Sequence, residues 1–249
     1  MARSPIRERS TPTISANELA AYMVASDVGR EGIIQRARWQ PAAPVVRYRD
    51  ARRAIVRFLA DPHRSAQILL EARARLEMLA EDPTGRPFAR EDARASIGAI
   101  DAFQAGLNSF GFGGMYFEAP PQGLGPLDIE GVAVTVSLDL VVRASDRRRG
   151  DLTGGVLLRL SKGADGESEA ASARRRDVGM YAATLVYMAC AEQLAGLGMP
   201  SPAHCFSVDV QRRERHRASS QYLTREANLR AACRGIQRAW SSVAPPPGA

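Results

Sequence analysis

Two charged residues stand out in the strand-like middle of the chain. Asp139 interrupts an apolar run that begins near Ile129, and Lys162, the sole lysine in the sequence, ends the next strand-like segment at 155–160. An aspartate in such a place is either a ligand for a hard metal ion or the ion-pair partner of a basic side chain. A lysine beside it either contacts a phosphate or an attacking water, or is an exposed turn residue. Both alternatives stay open for both residues.

Arginine side chains cluster at three places in the second half of the chain. Because guanidinium groups bind phosphates, three clusters on one side of a sheet predict a charged groove for a nucleic-acid backbone. The alternative is a set of solvated connecting segments. Tyr181 is expected in the core, with its hydroxyl at the rim of the same pocket. The clusters are Arg147, Arg148 and Arg149; Arg174, Arg175 and Arg176; and Arg212, Arg213, Arg215 and Arg217 around His216.

The overall charge favours the same class of partner. The net charge is +7 and the isoelectric point about 9.9, and nearly all of the positive charge is arginine. A basic surplus attracts polyanions, nucleic acid above all. An arginine-rich genome explains the same surplus without any partner, so the charge indicates nucleic-acid binding without proving it.

Several common kinds of site are excluded by the spacing of their residues. The three cysteines, Cys190, Cys205 and Cys233, form no C-x-x-C pair, so neither a disulfide framework nor a structural zinc site is expected. The glycines at 111–114 lack the Lys-Ser/Thr that follows a phosphate-binding loop. The first residues are basic but lack an apolar segment, and no run approaches the length of a membrane span. We therefore expect a cytoplasmic protein that does not contact membranes.

The elements that must position these residues follow from hydrophobic periodicity. Ser15 and Glu18 form a capping box that starts a helix expected to reach Arg38. Alternation of Phe206, Val208 and Val210 with polar residues predicts a half-buried strand. A helix between two strands permits a crossover, so the order predicts an α/β protein with a central mixed β-sheet flanked by helices. Helices are predicted at 50–60, 64–81, 88–109, 173–195 and 220–243, and strands at 115–118, between 129 and 142, at 155–160 and at 205–210.

In this arrangement the chain resembles the RecB-like branch of the PD-(D/E)XK nuclease superfamily. The segment SANELAAY at 15–22 is similar to the capped helix with which members open, and the segment at 131–141 is similar to their strand with an acidic residue, here Asp139. LSKG at 160–163 stands where members have (D/E)-x-K-x-G, and Tyr181 ends a variant of their Q-x-x-x-Y helix motif. The resemblance spans about 14–243 and implies a restriction-endonuclease-like core.

The resemblance also implies catalytic residues, and here the chain departs from the pattern. Members bind Mg²⁺ with two carboxylates on adjacent strands, and their lysine positions or activates the attacking water. Asp139 and Lys162 are present, but Leu160 stands in place of the second acid and Asp177 in place of the glutamine. Hard metal ions need several oxygen ligands. Asp177 would have to return an acid to the site from the helix, or Glu118 or Glu130 from the sheet edge.

The expectations for the whole chain follow from these departures. Nucleic-acid binding, with DNA favoured, is expected from a nuclease-like domain whose metal site is incomplete, and whether the chain is also an enzyme stays open. One alternative is an active nuclease that uses Mg²⁺ with Asp139, Asp177 and Lys162. Another is a catalytically inactive subunit of a nuclease or defence complex that binds protein through its helical half. The predicted regions are a disordered basic arm at 1–13, a helical region at 14–114, the PD-(D/E)XK-like α/β core at 115–243 and a disordered tail at 244–249.

Overall fold

The computed structural model describes residues 6–41, 47–161, 168–218 and 221–246 of the chain. Within those ranges, helices dominate the first half, and a long helix separates the last two long strands. The α-helices are α1 (Ala16–Val24), α2 (Asp27–Arg38), α3 (Arg49–Ala60), α4 (Gln67–Glu81), α5 (Pro87–Gly106), α6 (Glu169–Gln193) and α7 (Tyr222–Ala239).

The strands of the described residues pair into one large sheet and two small ones. The large sheet has the order β10-β9-β8-β7-β4, and the small sheets are β2-β6-β5 and β1-β3. The strands are β1 (Ile6–Glu8), β2 (Thr13–Ser15), β3 (Trp39–Pro41), β4 (Tyr116–Glu118), β5 (Leu127–Ile129), β6 (Val132–Thr135), β7 (Leu140–Asp146), β8 (Gly150–Arg159), β9 (Met199–Asp209) and β10 (Glu214–Arg217).

The large sheet is mixed, which confirms the predicted α/β class with helices flanking a central sheet. β7 and β8 form an antiparallel hairpin, in which Asp146 pairs with Gly150 at the turn. β9 runs parallel to β8, with Arg159 opposite Asp209 at the carboxyl ends. Parallel neighbours need a long connection, and α6 provides it. The carboxyl ends of β8 and β9 therefore lie beside the amino-terminal half of α6.

Helices cover both faces of the large sheet, and each face has its own hydrophobic core. On one face, α3, α4 and α5 bury Phe58, Phe103 and Leu158. On the other, α6, α1, α2 and α7 bury Leu157, Val186 and many small residues. Leu157 and Leu158 lie in opposite cores because successive side chains of a strand point to opposite faces. The same alternation directs Arg159 toward α6.

The start of α1 is as predicted. The Ser15 Oγ accepts from the Glu18 N–H at 3.3 Å, and the Glu18 carboxylate accepts from the Ser15 N–H at 3.1 Å. Ile14 and Leu19, on either side of this box, are both buried. Such a box satisfies two amide groups that a helix otherwise leaves unpaired. It also holds α1 against β2, which pairs in parallel with β6.

Three expectations about the ends and breaks of elements were wrong. The first helix does not run unbroken to Arg38, because it is interrupted at Ser26, whose hydroxyl accepts from the Gly29 N–H and starts α2. Residues 6–13 of the expected disordered arm are ordered, because β1 pairs with β3 and the Trp240 indole donates to the Arg9 carbonyl. In the expected tail, the Ala244 carbonyl accepts from Gln35.

Among residues 6–41, 47–161, 168–218 and 221–246, no helix is both long enough and apolar enough to span a bilayer.

Candidate functional site

Asp139 lies just before β7, at the point where the pairing between β7 and β8 ends. Its Oδ2 accepts from the Leu158 N–H at 2.7 Å. The Arg52 guanidinium, from α3, donates to both carboxylate oxygens at 2.7 Å and to the Leu158 carbonyl at 2.9 Å. Asp139 and Arg52 thus bind the two backbone groups of Leu158 that a neighbouring strand would have bound. This geometry fits the interpretation of Asp139 as an ion-pair partner and not the interpretation as a metal ligand.

The protonation of Asp139 is set by opposing effects. Its side chain is only 7% exposed, and this burial raises the pKa of the carboxyl above its ordinary value. The Arg52 charge and the Leu158 N–H oppose the rise, because both stabilise the ionised form. With both oxygens bound by protein groups, the carboxylate has little capacity left for a metal ion.

The strand that bears Asp139 is the neighbour of the strand that leads to Lys162. β7 and β8 are paired over their whole shared length, from Leu140 with Val156 to Asp146 with Gly150. Lys162 itself lies outside the described residues, as do residues 163–167. The predicted adjacency of Asp139 and Lys162 side chains therefore stays a prediction.

A second buried carboxylate, Asp209, lies on the other side of β8. Its side chain is fully buried at the end of β9. Arg175 of α6 donates to both its oxygens, at 2.6 and 2.9 Å, and the Arg159 guanidinium lies 3.7 Å away. A buried carboxylate needs such partners, since its desolvation costs several kcal/mol. We call Arg159, Arg175, Asp209, Arg212 and His216 the Asp209 cluster.

Arg212 and His216 complete the Asp209 cluster from the turn after β9 and from β10. The Arg212 N–H donates to Asp209 at 3.3 Å, and its guanidinium donates to the Ser172 hydroxyl at 2.6 Å and to Glu214. His216 packs directly on α6 at Gly179, where any Cβ would collide with the imidazole. These contacts hold the amino-terminal half of α6 against the sheet, so the cluster has a defined shape.

Two polar atoms in the Asp209 cluster are buried without a hydrogen-bond partner. They are Nη1 of Arg159 and Nε2 of His216. Burial lowers the pKa of Arg159, and the negative charge of Asp209 opposes that change. Burial also lowers the pKa of His216, which favours the neutral ring. With three arginines, Asp209 and Glu214, the region keeps a positive surplus when His216 is neutral.

Arg174, Arg176 and Asp177 are exposed on α6 beside the Asp209 cluster. Arg175 and Gly179 are one helical turn apart and both face the sheet, as their contacts with Asp209 and His216 show. Residue 177 lies about 200° around the helix from residue 175, at about 100° per residue. Asp177 therefore points away from Asp209, and its predicted role beside Asp139 and Lys162 stays a prediction. The two exposed arginines extend the positive surface of the cluster.

The structure does not gather the three arginine clusters into one groove. Arg147, Arg148 and Arg149 form the turn of the β7–β8 hairpin, whereas Arg159 ends β8. The intervening strand is about 30 Å long at about 3.3 Å per residue. The expectation that all three clusters lie on the same side was therefore wrong. The reason is that the hairpin arginines lie at the beginning of β8, whereas the Asp209 cluster lies at its end.

Residues 214–217 are an edge strand and not a loop, so their side chains divide between the two faces of the sheet. Arg212 and His216 join the Asp209 cluster. Arg215 stacks its guanidinium over the Phe206 ring at 4.7 Å and donates to the Gly111 carbonyl, on the opposite face. The aliphatic part of Arg213 lies over Gly106 on that face too. The predicted single patch of four arginines is thus split.

The remaining candidates lie away from the Asp209 cluster. The Tyr181 hydroxyl accepts from the Asn228 amide at 3.3 Å, and its ring packs at the margin of the core, as expected. Glu130 forms an ion pair with Arg234 at 3.3 Å, and Glu118 lies 3.8 Å from Arg143. Each glutamate thus lies beside an arginine, and Glu118 pairs across the sheet with Val141, two residues from Asp139. Across the described part of the chain, no three His, Cys, Asp or Glu side chains are arranged to hold a metal ion.

Asp209 was missed because its strand was interpreted as half-buried. The alternation of Phe206 and Val208 with polar residues assigned Asp209 to solvent, but α6 covers that face, so Ser207 and Asp209 are fully buried. The signal available in the sequence was the long helix predicted between the two strands, which a crossover connection places against one face of the sheet.

The chain was also compared with known proteins. No protein-family model matches it, and no curated protein matches it significantly.

Proposed function

We propose that this chain binds the phosphate backbone of nucleic acid, with DNA as the first expectation, without metal-assisted cleavage. The proposal rests on one observation: both buried carboxylates beside the end of β8 form ion pairs with arginine side chains. Asp139 is bound by Arg52 and Asp209 by Arg175. A metal-dependent nuclease collects free carboxylate oxygens around a divalent ion. This region instead collects guanidinium groups, which bind phosphate oxygens directly.

The position of the Asp209 cluster supports this proposal. In α/β proteins, ligands commonly bind at the carboxyl ends of parallel strands, and Arg159 and Asp209 occupy those ends in β8 and β9. The exposed Arg174 and Arg176 are the sixth and eighth residues of α6, in its amino-terminal half. A phosphate backbone would contact these two side chains first, with the Asp209 cluster holding the helix in place.

The order of elements supports the resemblance to PD-(D/E)XK nucleases on which the nucleic-acid proposal partly rests. The antiparallel β7 and β8 are followed by α6, then by β9 and α7, the order that the resemblance implies. Asp139 stands at the start of β7, in the acidic position. Its ion pair with Arg52 is the feature that favours binding over cleavage.

A salt series with charge-reversal variants tests the proposal. Arg174→Glu/Arg176→Glu changes two exposed side chains of α6, and Arg147→Glu/Arg148→Glu makes the same charge change at the far end of β8. We expect the α6 variant to bind a fluorescent DNA duplex at least about tenfold more weakly and to lower the salt slope by about 2. The hairpin variant should retain most of the affinity. Equal losses in both variants would contradict a localised site.

Incubation with Mg²⁺ or Mn²⁺ tests the second half of the proposal. We expect the wild-type chain to leave single-stranded and duplex DNA and RNA intact, because Asp139 is bound by Arg52 and Leu158. Cleavage that disappears in Asp139→Ala would show that the carboxylate serves a metal ion. That result would replace binding without chemistry by a nuclease.

A further inference from the structure

A groove runs between α3 and α4, in the helical layer on the other face of the sheet from α6. It has a volume of about 220 Å³. Its floor is formed by Ala54, Ala72 and Leu76, all of which are buried. Ile68 and Leu79 lie at its two ends, and Leu79 is 37% exposed. The groove therefore presents apolar side chains to solvent along about three turns of α4.

Basic side chains line the rim of this groove. Arg53 and Arg57 come from α3 and Arg75 from α4, and all three are exposed. Asp50 is the one acidic residue of the lining. No ion pair within 4.0 Å involves these three arginines among the residues that the structure describes. With three arginines and one aspartate, the lining carries a positive surplus.

The apolar surface continues beyond the groove. A second depression shares Asp50, Leu76 and Leu79 with it and reaches Phe88 at the start of α5. Phe88 is 42% exposed, with the Arg47 guanidinium 5.3 Å from the centre of its ring. The second depression is lined by Arg49 and by the acids Asp50 and Asp92, so the positive surplus belongs to the α3–α4 groove.

The size and charge of this surface favour one class of occupant. Sites for drug-sized molecules are usually about 300–1,000 Å³, and the groove is smaller. Nucleic-acid phosphates would pair with the arginines but leave Leu79, which is 37% exposed, against water. An amphipathic helix supplies apolar side chains at i, i+4 and i+7 for the floor, and acidic flanks complement the rim. We propose that the α3–α4 groove docks an acidic amphipathic helix of a partner protein.

Peptide binding tests this docking surface separately from nucleic-acid binding. The probe is a fluorescent synthetic helix of about 18 residues, or five turns, with leucines on one face and glutamates beside them. A second peptide has the same composition with its leucines dispersed around the helix, and a third has lysine in place of glutamate. We expect the chain to bind only the first peptide, as measured by fluorescence anisotropy. Failure of the first peptide to exceed the second overturns the proposal.

Variants locate the binding on the groove. Arg53→Glu/Arg57→Glu should weaken the first peptide at least about tenfold and allow the lysine peptide to bind, because the sign of the rim is reversed. Leu79→Asp should weaken binding of the first peptide and should not allow the third peptide to bind. Arg147→Glu/Arg148→Glu, with the same charge change on the β7–β8 hairpin, should have little effect.

Two further outcomes overturn the docking proposal. One is a marked fall in the melting temperature of Arg53→Glu/Arg57→Glu, since that would mean that part of this chain already covers the groove. The other is a loss of DNA affinity in the same variant that matches the loss in Arg174→Glu/Arg176→Glu, since that would assign the rim to phosphates. Loss of peptide binding with intact DNA binding separates this proposal from the nucleic-acid proposal.

Discussion

Arg52 and Asp139, distant in the sequence, meet at the edge of β8 and complete its hydrogen bonding. Arg52 donates to the Leu158 carbonyl while Asp139 accepts from the Leu158 N–H, and the two side chains bind each other through both carboxylate oxygens. The pair therefore continues the sheet by side chains beyond the end of β7. An acid in the position expected for a metal ligand here has a demonstrable structural task.

Removing Arg52 alone should destabilise the chain more than removing both charges. Arg52→Met leaves the Asp139 carboxylate, 7% exposed, with the Leu158 N–H as its remaining hydrogen-bond donor. Breaking a buried pair costs about 3–5 kcal/mol, and we expect the low end because Arg52 is 36% exposed. Urea unfolding measures the loss. The double variant Arg52→Met/Asp139→Asn keeps an acceptor for the Leu158 N–H and should recover most of the lost unfolding free energy. If the double variant is as unstable as the single one, the loss does not come from the unpaired carboxylate.

His216 should make stability fall as the solution becomes acidic. Because burial lowers the pKa of the folded histidine, the unfolded chain takes up a proton first as the pH drops below about 6.5. The stability that neutral His216 contributes is complete above that pH and is lost as the pH falls through the folded pKa. His204 acts in the same direction, so the comparison is between wild type and His216→Asn. Their difference in unfolding free energy should narrow from pH 8 to pH 5; a constant difference would contradict this.

The three cysteines should be unreactive in the folded chain. Cys190, Cys205 and Cys233 are fully buried, and burial raises the pKa of Cys205 well above its ordinary value and that of Cys233 to about 12. Thiolate is the reactive form, so both effects suppress reaction. Ellman's reagent at pH 8 should detect no thiol until urea is added, and then all three. Ser241→Cys, at an exposed position, is the positive control, and rapid native reaction of any wild-type thiol would contradict the prediction.

Local features were predictable from the sequence because they depend on neighbours in the chain. The capping box of Ser15 and Glu18 joins residues within one helical turn, and it forms as expected. The strand-like segments on either side of 146–155 were expected to be neighbours, and they pair, although β8 begins at Gly150, inside the stretch that was expected to be a loop. The order of elements likewise indicated a mixed sheet with a crossover helix.

The charges at the candidate site could not be predicted in the same way. The partner of Asp139 comes from α3, and the partner of Asp209 comes from α6, so each pair depends on how layers pack. Periodicity reports that a strand has an apolar face, but not whether a helix covers the other face. For β9 that second layer converts Asp209 from a surface residue into a buried one.

The edges of the large sheet bear on how the chain behaves at high concentration. Its two outer strands, β4 and β10, are only three and four residues long, and β10 reads Glu-Arg-His-Arg. Short, charged edges are poor templates for the addition of another strand. A strand added at β10 would find four residues to pair with, two of them arginines. The same arginines that were considered for phosphate contacts thus also oppose the growth of intermolecular β-aggregates.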